Sequence, residues 1–416
     1  MLLASTIPAQ VVAAAIVLLA APLFLDLAIA IAGNLRRPRI EEGMGRRAIR
    51  LAVVVPAHDE EAMIARTVRS LIAAGGTAYD PGSANPGLAD ATDSGLWQTP
   101  VFVVAHNCSD ATAVVAEAAG ARVLLLRNPR LRGKGAALRF GFQAAQAAGA
   151  NAFLVVDADS IASPNLLAAT RRALAAGAGA TQCRYELEKP ASGPFKGLAR
   201  LRVMAFRGIN VLRARGRAGL GFSAGIFGNG FAVTAATLDR VPFAADSICE
   251  DIEYHVKLVC AGMGVRWVEE ASVWAPLSAP GSAQAAQEAR WEGGRFHVAA
   301  RAAGPLVNAG LRGNWRAWGA LMETWSLPLS RGLVALLLTL LLPLHWLHVF
   351  ALVCALIACL YVLQSALLGD QPARDLAALA AAPVHIAWKL LITPLVLRQT
   401  RKRAEWARTR REAQQP

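Results

Sequence analysis

The amino-acid sequence predicts an α/β domain with a mainly parallel sheet, held between apolar helices long enough to cross a membrane. Strand-like and helix-like patterns alternate along the middle of the chain, long apolar runs lie towards both ends, and polar residues follow the strands. Of 416 residues, 55% are hydrophobic and 17% are charged, and the net charge is +14. High hydropathy combined with positive charge is typical of membrane proteins with basic cytoplasmic flanks. Membrane lipid is therefore the expected partner, and nucleic acid is not.

Three apolar regions predict the membrane segments. Residues 1–34 hold one apolar run and should form an N-terminal transmembrane helix. Residues 327–368 are long enough for two antiparallel spans. Residues 376–416 begin with an apolar stretch that is broken by prolines and Lys389, so we expect an interfacial or re-entrant helix and a basic tail, with a fourth span as the alternative. The arginines after residue 34 place the domain in the cytoplasm, at a cell inner membrane crossed several times.

The domain between residues 50 and 314 shows the alternation most clearly. Short apolar runs at 51–55, 101–105, 122–126 and 152–156 read as strands, and the segments between them have helical periodicity, apart from an insertion at 75–100. Strands that are apolar throughout are buried on both faces, which indicates a mainly parallel sheet. Ligands bind beyond the carboxyl ends of such strands.

Two motifs after these strands suit a phosphorylated ligand. Asp157 and Asp159 follow the fourth strand, and paired carboxylates at this spacing can hold Mg²⁺ or Mn²⁺ together with phosphate oxygens. Acids that only shape a turn are the alternative. Lys134 lies in a glycine-containing basic loop before a helix, where it could bind phosphate, although the same sequence also fits a plain basic loop.

Two later motifs could act on an acceptor. Asp251 begins a helical segment and is either a general base or a helix cap. Gln287, Arg290 and Trp291 share one helix face, so the arginine could bind diphosphate and the tryptophan could stack on a sugar. A helix lying on the membrane is the alternative. The basic amphipathic stretch at 195–217 should also contact an anionic leaflet, with a solvated helix face as the alternative.

Taken together, these residues resemble the membrane-integrated family 2 glycosyltransferases, which have the A-type nucleotide-sugar-binding fold. The order and spacing of the motifs agree with the family over residues 50–300. The matching motifs are Pro56-Ala57-His58-Asp59-Glu60, Asp157-x-Asp159, Glu250-Asp251 and Gln287-x-x-Arg290-Trp291.

The resemblance implies a role for each residue. Ala57 and Glu60 would line the nucleotide pocket, and Lys134 would approach the diphosphate. Asp157 would contact the nucleotide-sugar and Asp159 the metal. The remaining roles concern the acceptor: Asp251 would be the base, Gln287, Arg290 and Trp291 would hold the diphosphate and acceptor end, and Gly228-Asn229-Gly230 would form the acceptor loop.

One departure from the family concerns base recognition. Ala105 and His106 replace an acidic pair that usually reads the base, so His106 would contact it by ring stacking or through its backbone. A UDP-sugar is expected more than a GDP-sugar.

The predicted activity is transfer of a sugar to a hydroxyl of a polysaccharide or lipid, with inversion, in cell-envelope biosynthesis. A non-catalytic membrane scaffold or nucleotide sensor on the same fold is the alternative. A nucleic-acid binder, suggested by charge alone, is the weaker rival.

Overall fold

The computed structural model describes residues 2–36, 48–79, 97–131, 133–189, 196–244, 249–278 and 281–399. Most of the predicted 75–100 insertion and the basic tail from residue 400 lie outside this part of the chain. Within it, nine strands form one mixed sheet. The strands are Leu51–Ala57 (β1), Gly76–Thr77 (β2), Thr99–His106 (β3), Arg122–Leu126 (β4), Ala152–Val155 (β5), Ile161–Ala162 (β6), Ala180–Leu187 (β7), Phe231–Thr234 (β8) and Val265–Ala275 (β9).

The sheet is parallel at one side and mixed at the other. β4, β3, β1 and β5 are adjacent and parallel, with Val53 beside Val101 and Leu154. β8 then pairs antiparallel with both β5 and β7, and β7 pairs parallel with β9. Because β8 runs against β5, Phe231 at its start lies opposite Val155 at the end of β5. The loop before β8 therefore reaches the same sheet edge as Asp157.

Helices cover both faces of the sheet. The helices up to residue 260 are Leu2–Asn34 (α1), Ile64–Ala73 (α2), Thr112–Ala118 (α3), Lys134–Ala147 (α4), Leu166–Ala175 (α5), Lys196–Arg207 (α6), Arg213–Gly219 (α7), Ala235–Arg240 (α8) and Glu250–Cys260 (α9). A π-helical segment, Gly208–Leu212, joins α6 to α7. The helices α2, α3 and α5 bury one apolar face of the sheet, and α4 and α9 bury the other. All seven residues of β1 are buried, as its continuous apolar sequence predicts.

The remaining helices all follow β9 in the chain. They are Ser282–Leu311 (α10), Arg316–Trp325 (α11), Leu329–Thr339 (α12), His345–Leu367 (α13), Pro372–Ala377 (α14), Ala382–Leu391 (α15) and Thr393–Gln399 (α16). Among the described residues, two helices are long and apolar enough to cross a membrane: Ala9–Asn34 within α1, and α13. Their mean hydropathies are 2.5 and 2.4.

The two helices observed at 327–368 differ in length from the two spans that the sequence predicts there. α12 has eleven residues and ends at Thr339, before Pro343. At 1.5 Å per residue it is about 16 Å long, roughly half the thickness of a bilayer core. The stretch from residue 376 is divided between short helices, and α15 and α16 have ten and seven residues. The number of membrane crossings stays a prediction.

The basic stretch at 195–217 packs inside the protein more than the sequence predicts. Arg213 and Arg217 are buried, and both donate hydrogen bonds to Asp26, which lies in the C-terminal half of α1. Arg207 is also buried and pairs with Asp375. The prediction that this face lies on an anionic leaflet is therefore wrong for these three arginines, because each carries its counter-charge within the fold.

Candidate active site

A cleft of about 1480 Å³ opens at the carboxyl ends of β1 and β5 and continues towards α1 and α13. Eight of the predicted site residues contribute to its wall. They are Glu60, Lys134, Asp157, Asp159, Asp251, Gln287, Arg290 and Trp291. They come from five separate segments of the chain, so the fold brings together motifs that are distant in sequence.

Lys134 is the centre of this cluster. Its Nζ donates to Asp157 Oδ1 at 2.5 Å and to the carbonyl oxygen of Gly228 at 2.6 Å, and it lies 4.0 Å from Glu250 Oε1. Burial lowers the pKa of Lys134, but the carboxylates of Asp157, Glu250 and Asp251 outweigh that effect and raise the pKa overall. The lysine therefore stays charged at neutral pH, as a phosphate-binding cation must.

The loop before β8 is tied to the strand-end acids through Asn229, whose side chain is fully buried. Asn229 Oδ1 accepts a hydrogen bond from the backbone of Asp157, and its Nδ2 donates to Ser160. The carbonyl oxygen of Asn229 in turn accepts a hydrogen bond from Gln182. Gly228 has a φ of +75°, which favours glycine, and it passes directly beside Asp251 and Lys134.

Glu250 and Asp251 are adjacent acids that begin α9. Burial is the largest influence on both: it raises the pKa of Glu250 to about 8 and moves the pKa of Asp251 above its usual range. Lys134 opposes this shift at both carboxyl groups. Asp251 Oδ1 also accepts a hydrogen bond from the backbone N–H of Ile252 at 2.8 Å, which fixes its carboxyl group at the helix end.

The helix α10 presents Gln287, Arg290 and Trp291 to the cleft. Trp291 keeps 42% of its surface exposed there. On the same helix, Ala289 is fully buried against α16. Glu288 and Glu292 both accept hydrogen bonds from Lys389 of α15, and Glu292 also pairs with Arg331. An ion cluster that also lines the cleft therefore holds the helix in place.

Two predicted binding residues do not contribute to the described wall of the cleft. Ala57 is fully buried at the end of β1. His106 is 1% exposed, and its Nε2 lies 2.9 Å from the carbonyl oxygen of Leu131, in the loop before α4. Burial lowers the pKa of His106, so the ring is neutral. His106 thus supports the loop that carries Lys134, and its contact with a base stays a prediction.

Asp157 and Asp159 fit a divalent cation. Asp159 is 6% exposed and accepts a hydrogen bond from Ser160, while Asp157 is more open. Carboxylate oxygens are hard ligands of the kind that Mg²⁺ and Mn²⁺ prefer, and phosphate oxygens and water commonly complete the shell of either ion.

A second group of potential ligand atoms belongs to Asp59, Cys108 and Asp110, within 4.8 Å of one another. Asp59 accepts a hydrogen bond from the backbone N–H of Ser109, and Asp110 accepts one from that of Thr112. These bonds account for the arrangement of the group as a link between two loops.

Sequence reasoning missed what three residues do in the site. The resemblance places Asn229 in the acceptor loop, but nothing in the sequence marks its side chain as the link between two loops. The sequence places Glu250 in one motif with Asp251, but the burial of Glu250 beside Lys134 depends on the fold. The sequence does indicate that Lys389 has a partner, because a charge inside an apolar stretch needs one. The partner, Glu292, is 97 residues away.

Comparison with known proteins assigns the domain. Residues 88–294, about half of the chain, match the model of the family described as glycosyltransferase like family 2. Curated protein sequences gave no match to the chain.

Solved structures give the fold. The chain is similar to the mannosyltransferase PcManGT from Pyrobaculum calidifontis, solved in complex with GDP-Man and Mn²⁺, with 15% identity and a TM-score of 0.52. The similarity covers 94% of this chain and 97% of that one. Glucosyl-3-phosphoglycerate synthase from Mycobacterium tuberculosis, solved with Mn²⁺, UDP and phosphoglyceric acid, is 19% identical over 58% of this chain and 72% of its own. Its TM-score of 0.32 is too low to add to the fold assignment. The family match and the A-type fold identify the chain as a glycosyltransferase with a family 2 domain.

Proposed function

We propose that the chain is a membrane-bound, inverting glycosyltransferase. It moves a sugar from a nucleotide-sugar to a hydroxyl group of a polysaccharide or lipid acceptor. The observation that carries the proposal is the convergence of Lys134, Asp157, Gly228 and Asp251 in one cleft, since Lys134 contacts both Asp157 and the loop beside Asp251.

The donor binds at the Lys134 side of the cleft. Lys134 contacts the diphosphate, and Asp157 contacts the nucleotide-sugar beside it. Glu60, with its backbone N–H held by Thr112 at 2.8 Å, contributes to the nucleotide pocket. A Mg²⁺ or Mn²⁺ ion held by Asp159, with Asp157 beside it, would offset negative charge on the leaving diphosphate. The domain faces the cytoplasm, where nucleotide-sugars are available.

Asp251 accepts the proton of the acceptor hydroxyl. As that proton leaves, the acceptor oxygen forms a bond to the anomeric carbon, and the bond from that carbon to the diphosphate oxygen breaks with its electron pair. Attack from the side opposite the leaving group inverts the anomeric centre. Burial raises the pKa of Asp251, which brings a carboxylate closer to the operating pH and makes it a better proton acceptor.

The acceptor enters between Asp251 and α10. Trp291 offers a partly exposed ring on which a sugar or another flat group can stack. Gln287 and Arg290 hold the departing diphosphate and the acceptor end, because an arginine fork matches phosphate oxygens in a bidentate way.

A donor screen tests the activity. Purified full-length chain is incubated with UDP-sugars and GDP-sugars, with and without Mn²⁺, and the released nucleoside diphosphate is measured. We expect release from at least one donor, stronger with Mn²⁺ and dependent on acceptor. No release from any uridine or guanosine donor would overturn the proposed activity.

Asp251→Asn tests the base. We expect sugar transfer to fall by at least about a hundredfold, the lower end of what a general base contributes, while nucleotide binding persists. Asp239→Asn, at an exposed carboxylate on α8, is the matched control and should retain full turnover. Unchanged transfer in Asp251→Asn would remove Asp251 from the base role, whatever the donor screen finds.

A further inference from the structure

A cluster of four charged side chains joins α10 to helices that follow it in the chain. Lys389 Nζ donates to Glu288 Oε2 at 2.5 Å and to Glu292 Oε1 at 2.8 Å. Arg331 of α12 donates to Glu292 Oε2 at 2.5 Å. The two acids and the two cations balance in charge, and their side chains are between 10% and 18% exposed. Burial raises the pKa of Glu292, but the two cations outweigh burial and lower the pKa overall, so this carboxylate is ionised at neutral pH.

The two acids alternate with predicted site residues along α10. Glu288 directly follows Gln287, and Glu292 directly follows Trp291. Residues four apart lie on the same face of a helix, so the acids form one face and the two site residues form the adjacent one. Both faces border the cleft, and Lys389 borders it too. A rotation of α10 that loosens the ion pairs therefore also moves Gln287 and Trp291.

The cluster continues into α15 and α16. Arg331 donates a second hydrogen bond to Thr393 Oγ1 at 3.4 Å, and this hydroxyl donates to the carbonyl oxygen of Lys389 at 3.2 Å. Beside the cluster, Ala289 of α10 and Val396 of α16 belong to one buried apolar group. The stretch from residue 376, which the sequence predicts as an interfacial or re-entrant helix, thus supports the helix that carries Gln287, Arg290 and Trp291.

The energetics of buried ion pairs favour a role beyond stability. A buried pair seldom adds more stability than apolar residues of the same size would, because both ions lose their water. An apolar contact has no preferred direction, whereas a charge-assisted hydrogen bond has a defined distance and angle. Lys389 makes two such bonds, to acids one helical turn apart. This arrangement restrains the rotation of α10 about its axis more than an apolar contact does.

We infer that Lys389 is a positioning residue for sugar transfer. By fixing the rotation of α10, it holds Gln287 and Arg290 against the departing diphosphate and Trp291 against the acceptor. The inference rests on the proposed function, which assigns these contacts. A displacement of about 1 Å in such groups can lower the rate about a hundredfold, even when the substituted residue is far from the chemistry.

A pair of variants separates positioning from stability. Lys389→Met leaves Glu288 without its partner, so it should lower both the melting temperature and kcat. Lys389→Met combined with Glu288→Gln removes this unpaired charge and leaves the pair between Glu292 and Arg331 intact. We expect the double variant to regain most of the melting temperature of the natural chain, because neutral replacement of a buried pair is often tolerated. Its kcat should stay at least about tenfold below that of the natural chain, because α10 still lacks its restraint.

The kinetic constants of the double variant should change in a defined way. Lys134 and Asp157 lie outside the cluster, so donor binding persists, and kcat and kcat/KM should fall by the same factor. The matched control removes the exposed pair of Lys189 and Asp370 by combining Lys189→Met with Asp370→Asn, and it should keep its kcat. A double cluster variant that regains kcat together with its melting temperature would overturn the positioning role and show that the cluster only stabilises the fold.

Hydrogen exchange of the full-length chain in detergent tests the restraint without any donor. In the double cluster variant, we expect peptides that cover residues 287–291 to exchange about tenfold faster or more, as loss of a hydrogen bond to a charged group predicts. Peptides from β1 and β5 should exchange as in the natural chain. Equal exchange of α10 in both proteins would overturn the inference, whatever the donor screen finds. Faster exchange of α10 without turnover of any donor would support the restraint and overturn only the proposed function.

Discussion

Lys134 shows how a single side chain joins motifs that are separate in sequence. Its contacts with Asp157 and Gly228 link the end of β5 to the loop before β8, and its charge moderates both acids at the start of α9. The sequence predicted Lys134, Asp157 and Asp251 as site residues because their types suit phosphate, metal and proton transfer. It placed Asn229 in the acceptor loop but could not predict the role of its side chain, because a buried amide that joins two loops has no local pattern.

Glu250 makes stability depend on pH. Its pKa is about 8 in the fold, mainly through burial, whereas an exposed glutamate ionises near 4.5. Because the folded pKa is the higher one, its contribution to stability is fully present below about pH 4.5 and is lost as the pH rises towards 8. Glu250→Gln removes this ionisation. The melting temperature of this variant, relative to that of the natural chain, should therefore be higher at pH 8.5 than at pH 5.

The comparison is made by thermal unfolding in one detergent at both pH values. Glu270→Gln, at an exposed surface glutamate, serves as the control and should show no pH-dependent difference. A constant difference between Glu250→Gln and the natural chain at both pH values would contradict the buried ionisation.

At the scale of elements, the alternation of strands and helices predicted outside the 75–100 insertion is confirmed in the described residues up to Val155. The predicted strand at 122–126 is observed with those bounds, and the helical segment predicted between that strand and the strand at 152–156 is observed as Lys134–Ala147. Periodicity sufficed here because the core contacts repeat along each element. It did not suffice for α12, since an apolar run does not mark where a helix ends, and α12 ends at the buried Thr339.

The loop before β8 is the element most sensitive to small changes. A Cβ on Gly228 would lie 3.3 Å from Asp251 Oδ2 and 3.4 Å from Lys134 Nζ, at a φ of +75°. Gly228→Ala should therefore lower kcat at least about tenfold, because small displacements of catalytic groups are costly.

Gly177→Ala separates crowding from backbone strain. Gly177 also has a positive φ, +92°, but its added Cβ meets nothing within 4 Å. We expect this control to lose about 1 kcal/mol of stability and to keep its turnover. Equal kinetic losses in Gly177→Ala and Gly228→Ala would show that strain alone, and not contact with Asp251, limits the reaction.

For the whole molecule, composition predicts that the positive charge behind the net value of +14 faces membrane lipid. Some of the arginines are instead buried in ion pairs that join the domain to the apolar helices, such as Arg213 and Arg217 with Asp26. Asp26 was visible in the sequence as an interruption of an apolar run. Its partners were not, because they lie 187 and 191 residues away and pair only in the folded chain.

Asp26→Asn tests this connection. The change leaves two buried arginines without their shared carboxylate, so we expect a loss of about 3–5 kcal/mol, as for a broken buried ion pair. Thermal unfolding of the full chain in detergent measures it. Asp370→Asn, which breaks an exposed pair with Lys189, should cost about 0–1 kcal/mol. Similar losses in the two variants would show that the Asp26 cluster contributes no more than a surface pair.

The close approach of α1 and α7 has a mechanical consequence. Gly33 faces Gly216, and Gly219 faces Gly33, so closely that a methyl group at any of these positions would overlap the opposing backbone. At this end of the contact the two backbones touch directly, whereas further along α1 the side chains of Arg213 and Arg217 reach across to Asp26. Larger residues at these glycines would push α7 away from α1 and would stretch the ion pairs to Asp26.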